Sequence, residues 1–170
     1  GKLPRLSPRD GRAAFVVPGE DGDTLMIENA AAIPAAAKTF DGHVEELRWS
    51  PDGDRLLLVI AGLGADVSGH EGGFATSRSE SGPDWLPEVE TGVEQNLWRR
   101  LWLYELGSGH GRVLSQPSTN VWEASWCGND KIAIIRSSNH DEGAWYTASL
   151  ACVDLQGVER ICHKPAEQIG

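Results

Sequence analysis

The chain has 170 residues and a mass of 18.4 kDa, with 40% apolar and 24% charged residues. That composition excludes wholesale disorder and fibrous repeats, and it supplies enough apolar material for one sizeable core. Fifteen Lys and Arg stand against 25 Asp and Glu, a formal charge of −10, which opposes the positive patch a nucleic acid would need. The longest nearly uncharged apolar run, Leu56 to Leu63, is far shorter than the ~20 residues of a membrane helix, so a soluble chain without membrane association is expected.

In chain order, Gly1-Lys2-Leu3-Pro4-Arg5 lacks the apolar centre of a secretion signal. Next comes Leu6-Ser7-Pro8-Arg9-Asp10-Gly11-Arg12, followed by the apolar run Ala13 to Val17. The pattern returns 43 residues later as Trp49-Ser50-Pro51-Asp52-Gly53-Asp54-Arg55 and Leu56 to Ile60. A period of that length suits one four-stranded propeller blade. In each copy Pro sits early in a tight turn, Asp can accept from nearby amides, and Gly supplies positive φ. The run after the turn is apolar on both faces, as in a strand buried inside a blade. Leu6 then ends the innermost strand of its blade, most of which is expected to be missing. Asn29 to Lys38 has helix-forming residues, but Pro34 and the lack of an apolar stripe argue against a helix.

Residues 63–95 hold six glycines and little strand pattern and read as an insertion. Gly62-Leu63-Gly64 at its start lacks dinucleotide-loop spacing and reads as a strand-end loop. From Leu97 to Leu106 the pattern alternates, with Trp102, Tyr104 and Leu106 on one side and Leu101 and Leu103 on the other. Arg99 and Arg100 must point to opposite faces, so one of them is expected to contact a neighbouring blade or the insertion, where an acid could pair with it. Gly107-Ser108-Gly109-His110-Gly111 turns the chain into Arg112-Val113-Leu114, and the flanking glycines mark Ser108 as a hairpin residue rather than a nucleophile.

A third, shortened copy, Trp126-Cys127-Gly128-Asn129-Asp130-Lys131 then Ile132 to Ile135, follows Trp49 by 77 residues; setting the 33-residue insertion aside restores the period. In Ser138 to Gly143, the consecutive His140-Asp141-Glu142 cannot easily converge on one ion and read as a turn. Ala148 to Asp154 and Val158 to Cys162 form a last hairpin, and a two-residue turn at Gln156-Gly157 would set Cys152 opposite Ile161. Cys127, Cys152 and Cys162 are odd in number and widely spaced, which predicts reduced thiols and a cytoplasmic chain.

These elements predict an all-β fold, a partial β-propeller of about three four-stranded blades. Blade 1 covers about 1–40, blade 2 about 44–117 with the insertion 63–95, and blade 3 about 120–164; residues 165–170 begin a further connection. Trp49, Trp102, Trp122 and Trp126 are expected to pack between blades. An open arc exposes two radial faces, expected to carry Phe15, Val17, Ile132 and Ile134 and to drive association through the open edges.

The Ser-Pro-Asp-Gly-x-x-apolar unit resembles the repeats of TolB-like proteins and of the N-terminal propellers of the prolyl oligopeptidase family of serine peptidases. The stretches Trp85 to Gly92, Leu97 to Trp102 and Asn120 to Gly128 are similar to bacterial acylaminoacyl-peptidase-like members. The resemblance implies an α/β-hydrolase domain after the propeller, yet this sequence contains no G-x-S-x-G nucleophile elbow. No catalytic residue, metal or cofactor is therefore expected. The implied role is a non-catalytic propeller that gates and guides peptide substrates to a hydrolase domain; the alternative is a TolB-like protein-interaction module with no enzyme attached.

In an antiparallel blade the loops joining strands two and three share one end of the propeller, so the insertion and Asp141-Glu142 together put a charge of −8 there. Such an electronegative mouth would draw in peptides bearing free amines. By comparison with the acidic pairs that hold substrate N-termini in dipeptidyl-peptidase relatives, Glu88, Glu90 and Glu94 are the candidate substrate-binding residues.

Overall fold

The computed structural model describes residues 1–65 and 97–166. Twelve described strands form three antiparallel four-stranded sheets, each a meander in chain order. The first contains β1 (Lys2–Leu6), β2 (Ala13–Val17), β3 (Thr24–Glu28) and β4 (Pro34–Thr39). The second contains β5 (His43–Trp49), β6 (Arg55–Ala61), β7 (Arg99–Glu105) and β8 (His110–Val113). The third contains β9 (Asn120–Cys127), β10 (Lys131–Ser137), β11 (Ser149–Asp154) and β12 (Glu159–His163). First strands of successive sheets touch, β1 with β5 and β5 with β9, which sets them on the inner side of an arc of blades. The all-β partial propeller expected from the repeat is the observed fold. Among the described residues no helix is long and apolar enough to cross a membrane.

The core lies between blades. In β6 every side chain from Leu56 to Ala61 is buried: Leu56, Leu58 and Ile60 face Ala14, Val16, Leu25 and Leu47, while Leu57 and Val59 face Leu101, Leu103, Ile132 and Ile134. Burying each such side chain is worth ~1.5–3 kcal/mol. The alternation read along 97–106 is correct: Tyr104, Trp102 and Leu106 join the first cluster and Leu101 and Leu103 the second.

Turns and inner strands lock neighbouring blades. Trp49 Nε1 donates to the Arg5 carbonyl at 3.1 Å and Trp126 Nε1 to the Arg48 carbonyl at 3.4 Å. The Arg9 guanidinium pairs with Asp54, and Asn129 accepts from the Asp52 amide (3.1 Å) while its carbonyl accepts from Arg55 (2.9 Å). At the opposite end, the fully buried Asp23 accepts from the Val44 amide at 2.8 Å and pairs with Lys2 Nζ at 2.8 Å. Asn120, also buried, accepts from the Arg99 amide at 2.7 Å.

Several expectations need correction. The first innermost strand is shorter than its counterparts but present, since β1 runs Lys2–Leu6 against His43–Trp49 for β5. Ile132 and Ile134 do not line an open face; they are buried against blade 2. The outward face of blade 3 instead carries Ala133, Ile135 and Cys152, whose side chains alternate with the buried set along β10 and β11. On blade 1 the outward side chains do include Phe15 and Val17, joined by Leu6 and Met26 through the strand registers. The last hairpin has its turn at Asp154 to Val158, so Cys152 pairs with Arg160 and Ala151 with Ile161. All three cysteines are free thiols.

Candidate functional site: a cavity at two inner-strand bulges

Both inner strands that meet at the centre of the arc carry a β-bulge at the same place. In β5 the register slips between Val44 and Glu46, leaving Glu45 extra; in β9 it slips between Val121 and Glu123, leaving Trp122 extra. A bulge re-aims its side chain out of the alternating pattern. The re-aimed Glu45 and Trp122, with their neighbours Glu46 and Glu123, wall a cavity of about 340 Å³.

The remaining walls come from β7 and from the connection between β10 and β11. Arg99 at the start of β7 reaches Glu45 through two bonds, Nε to Oε2 at 2.8 Å and an Nη to Oε1 at 3.1 Å. Two parallel charge-assisted bonds fix both groups in one plane. The same guanidinium lies over the Trp122 ring, 5.0 Å from its centroid, so an attractive cation–π contact ties blade 2 to blade 3. A 3-10 helix, Glu142–Thr147, lends Glu142, Trp145 and Tyr146 to the rim. Trp145 meets Trp122 edge-on, centroids 5.9 Å apart and planes at 77°, and Trp122 Nε1 donates to Ser137 Oγ at 2.9 Å.

Charge in the cavity is unevenly satisfied. Glu45 is neutralised by Arg99, and Glu46 accepts from the Ala124 amide at 3.2 Å and from Arg48 Nε at 3.3 Å. Glu123 and Glu142 have no cationic partner among the described residues. Among the described residues the lining is therefore net negative and aromatic, suited to a positively charged or polar-tipped apolar group.

Glu88, Glu90 and Glu94 lie outside the described residues, as does most of the insertion. Arg99 meets the neighbouring blade, as expected, through the Trp122 ring, and it also pairs with an acid, Glu45, on the inner strand of its own blade. Arg100, on the other face, donates to the carbonyls of Gln116 (2.8 Å) and Thr119 (3.3 Å) and lies over Trp98. Trp49, Trp102 and Trp126 pack between blades as expected, whereas Trp122 lines the cavity. The His140-Asp141-Glu142 stretch divides: His140 is buried edge-on against Trp98 (5.3 Å, 72°), and Glu142 opens the 3-10 helix. Ser108 Oγ accepts from the His110 amide at 3.3 Å, in keeping with a hairpin residue.

Sequence reasoning missed Glu45, Glu46, Glu123, Trp145 and Tyr146. One signal was available: Glu45-Glu46 and Trp122-Glu123 stand at the same distance before Trp49 and Trp126, and each pair breaks the alternation of its strand.

No protein-family model and no curated protein matches the chain. Solved structures do. Acylaminoacyl peptidase of Pyrococcus horikoshii is similar over 96% of this chain and 25% of its own, with a TM-score of 0.58 and 16% identity. The β-propeller domain of the trilobed protease of Pyrococcus furiosus is similar over 98% of this chain and 43% of its own (TM-score 0.55, 16% identity). A TolB-type protein of Agrobacterium tumefaciens is similar over 97% of this chain and 50% of its own (TM-score 0.57, 10% identity). The chain thus has the blade architecture of peptidase and TolB propellers, as the repeat resemblance implied, and it spans no more than half of any of these three.

Proposed function

We propose that this chain is a blade segment of a propeller of the prolyl oligopeptidase type, which meets peptide substrates at the inner-strand cavity and guides them to a hydrolase domain. Its own residues are non-catalytic; they bind and orient. The observation that carries the reading is the paired bulge: two successive blades re-aim Glu45 and Trp122 toward one acidic, aromatic cavity, in a fold shared with peptidase propellers. In this reading a peptide that passes along the inner strands meets this lining before any chemistry, and a concave, aromatic lining with a few charged groups is the kind of surface that orients it.

The outward faces of blades 1 and 3 support the segment reading. Leu6 is 71% exposed and Val17 40%, although Leu6 occupies the position at which Trp49 and Trp126 grip the preceding blade. Further blades, from the same polypeptide or a second copy, would cover these faces.

The test is to titrate blocked tripeptides against the protein while assaying hydrolysis of peptide and ester substrates in the presence and absence of a serine-directed reagent. Saturable peptide binding with no reagent-sensitive hydrolysis is expected. Reagent-sensitive turnover would overturn the non-catalytic assignment. Binding of a folded protein but of no peptide would favour the TolB-like interaction module.

A further inference from the structure

The cavity also defines what part of a peptide it receives. Trp122 and Trp145 stand nearly perpendicular, 5.9 Å between centroids, and form a corner. Tyr146, 46% exposed, leaves a further ring uncovered beside it. The chain itself shows what such a ring accepts: the Arg99 guanidinium already lies over Trp122 and is balanced by Glu45. The other carboxylates on the lining differ in their state. Glu46 is engaged by Arg48 and the Ala124 amide, whereas Glu123 and Glu142 are exposed and lack a cationic partner among the described residues.

Among the described lining residues an anion would meet four glutamates and one arginine, so it is repelled. A neutral apolar group would cover the rings but leave Glu123 and Glu142 unmatched. A positively charged group on an alkyl stem satisfies both, since the stem packs on aromatic surface while the head reaches carboxylates in water. A bare amino terminus has the charge without the stem. At about 340 Å³ the space is at the small end of ligand clefts, suited to one side chain with its flanking backbone and too small for a folded partner.

We propose that the cavity takes the basic side chain of a peptide, lysine or arginine, with its stem on Trp145 and Tyr146 and its charge at Glu123 and Glu142. This deepens the reading above and rests on the cavity being the place where peptides are met.

The experiment is an NMR-detected titration of the whole chain with three peptides: acetyl-Ala-Lys-Ala-amide, acetyl-Ala-norleucine-Ala-amide, and Ala-norleucine-Ala-amide with a free amino terminus. The lysine peptide is expected to bind about tenfold more tightly than the blocked norleucine peptide, a ratio in the range of a partly desolvated cation–π contact. In the double variant Glu123→Gln with Glu142→Gln that ratio should fall to near one while norleucine binding stays as in wild type. Both positions are exposed, so unchanged melting will confirm an intact fold. Equal binding of all three peptides would overturn the ligand class and leave the peptide site standing. Tighter binding of the free-amine peptide than of the lysine peptide would overturn it in favour of the amino terminus. Binding of none would overturn both this proposal and the peptide-guiding role.

Discussion

Trp49 and Trp126 make one and the same bond in successive blades. Each indole closes an inner strand and donates backward, Trp49 to the Arg5 carbonyl and Trp126 to the Arg48 carbonyl. The acceptor is in each case the residue before the matching position of the preceding blade, so the repeat seen in the sequence is a repeat of docking geometry. An indole suits this role because it fills inter-blade volume and still carries one N–H to satisfy.

Trp49→Phe should therefore cost about 1 kcal/mol for the lost hydrogen bond, with a little more for lost volume. Trp126→Phe should cost less, because its bond is longer and its ring is less buried. Denaturant unfolding of the two variants checks the order; equal losses would contradict it.

Arg99 and Glu45 hold the floor of the cavity. Replacing Arg99 by Met strips a mostly buried carboxylate of its bidentate partner, for which ~1–3 kcal/mol is expected, below the full-burial range because Glu45 keeps 22% of its side-chain exposure. Arg99→Lys should recover only part of that loss, since an ammonium cannot make both bonds in one plane. Thermal melts of the two variants provide the measurement, and full recovery by Lys would show that charge alone matters.

Asp52 gives the fold a pH dependence. The Ser50 hydroxyl donates to its carboxylate at 2.6 Å, and the Asp54 amide and Arg55 add to the effect, holding its pKa below the ordinary value of 3.8. A carboxylate depressed in the folded state contributes stability above its unfolded pKa and loses it as pH falls through the folded value. Ser50→Ala removes the largest cause, so acid unfolding should begin at a higher pH than in wild type. Circular dichroism across an acid titration reads this directly; an unshifted midpoint would contradict it.

Gly22 shows where backbone, not side chain, sets the fold. Its φ is +127°, and a Cβ there would stand 1.9 Å from the Phe40 carbonyl oxygen. Gly22→Ala should destabilise by more than the ~1 kcal/mol of an ordinary left-handed glycine, because the β3–β4 sheet must shift away from the loop. Loss of the folded amide spectrum, or a large drop in melting temperature, is the expected outcome.

Blade architecture was legible in the sequence because a repeat carries turn chemistry and apolar runs together. Ser50 to Arg55 announces a turn, and Leu56 to Ile60 announces a strand buried on both faces. The face assignment along Leu101 to Tyr104 followed from period-two alternation alone. Register at the ends of strands was less legible. The last hairpin closes through Asp154, whose carboxylate accepts from the Gln156 and Val158 amides at 2.9 Å, and that side-chain cap moves the pairing by one residue. The cavity was not legible because it depends on bulges. Glu45-Glu46 and Trp122-Glu123 break the alternation of their strands, but a broken alternation does not say where the side chains go, and only a slip of one residue in each ladder brings Glu45 and Trp122 together. Ile132 and Ile134 were misassigned to an open face for a related reason: alternation fixes which residues share a face, but not which face meets the neighbouring blade.

The outward faces of blades 1 and 3 bear on association. With Leu6 and Val17 exposed on blade 1, the 170-residue chain alone should self-associate at micromolar concentration. Sedimentation equilibrium should return a mass above 18.4 kDa. Leu6→Ser together with Val17→Ser should shift it toward the monomer, and an ideal wild-type monomer would show that the faces need no cover.

The central claim is that peptides are met at the bulged inner strands, and mapping a bound peptide on the assigned protein tests it most directly. On addition of acetyl-Ala-Lys-Ala-amide, the indole N–H signals of Trp122 and Trp145 and the backbone amides of Glu45 and Glu123 should shift saturably together, while the inter-blade indoles of Trp49 and Trp126 stay in place. Saturable shifts confined to the outer strands β4, β8 or β12, with the cavity signals unmoved, would contradict the account.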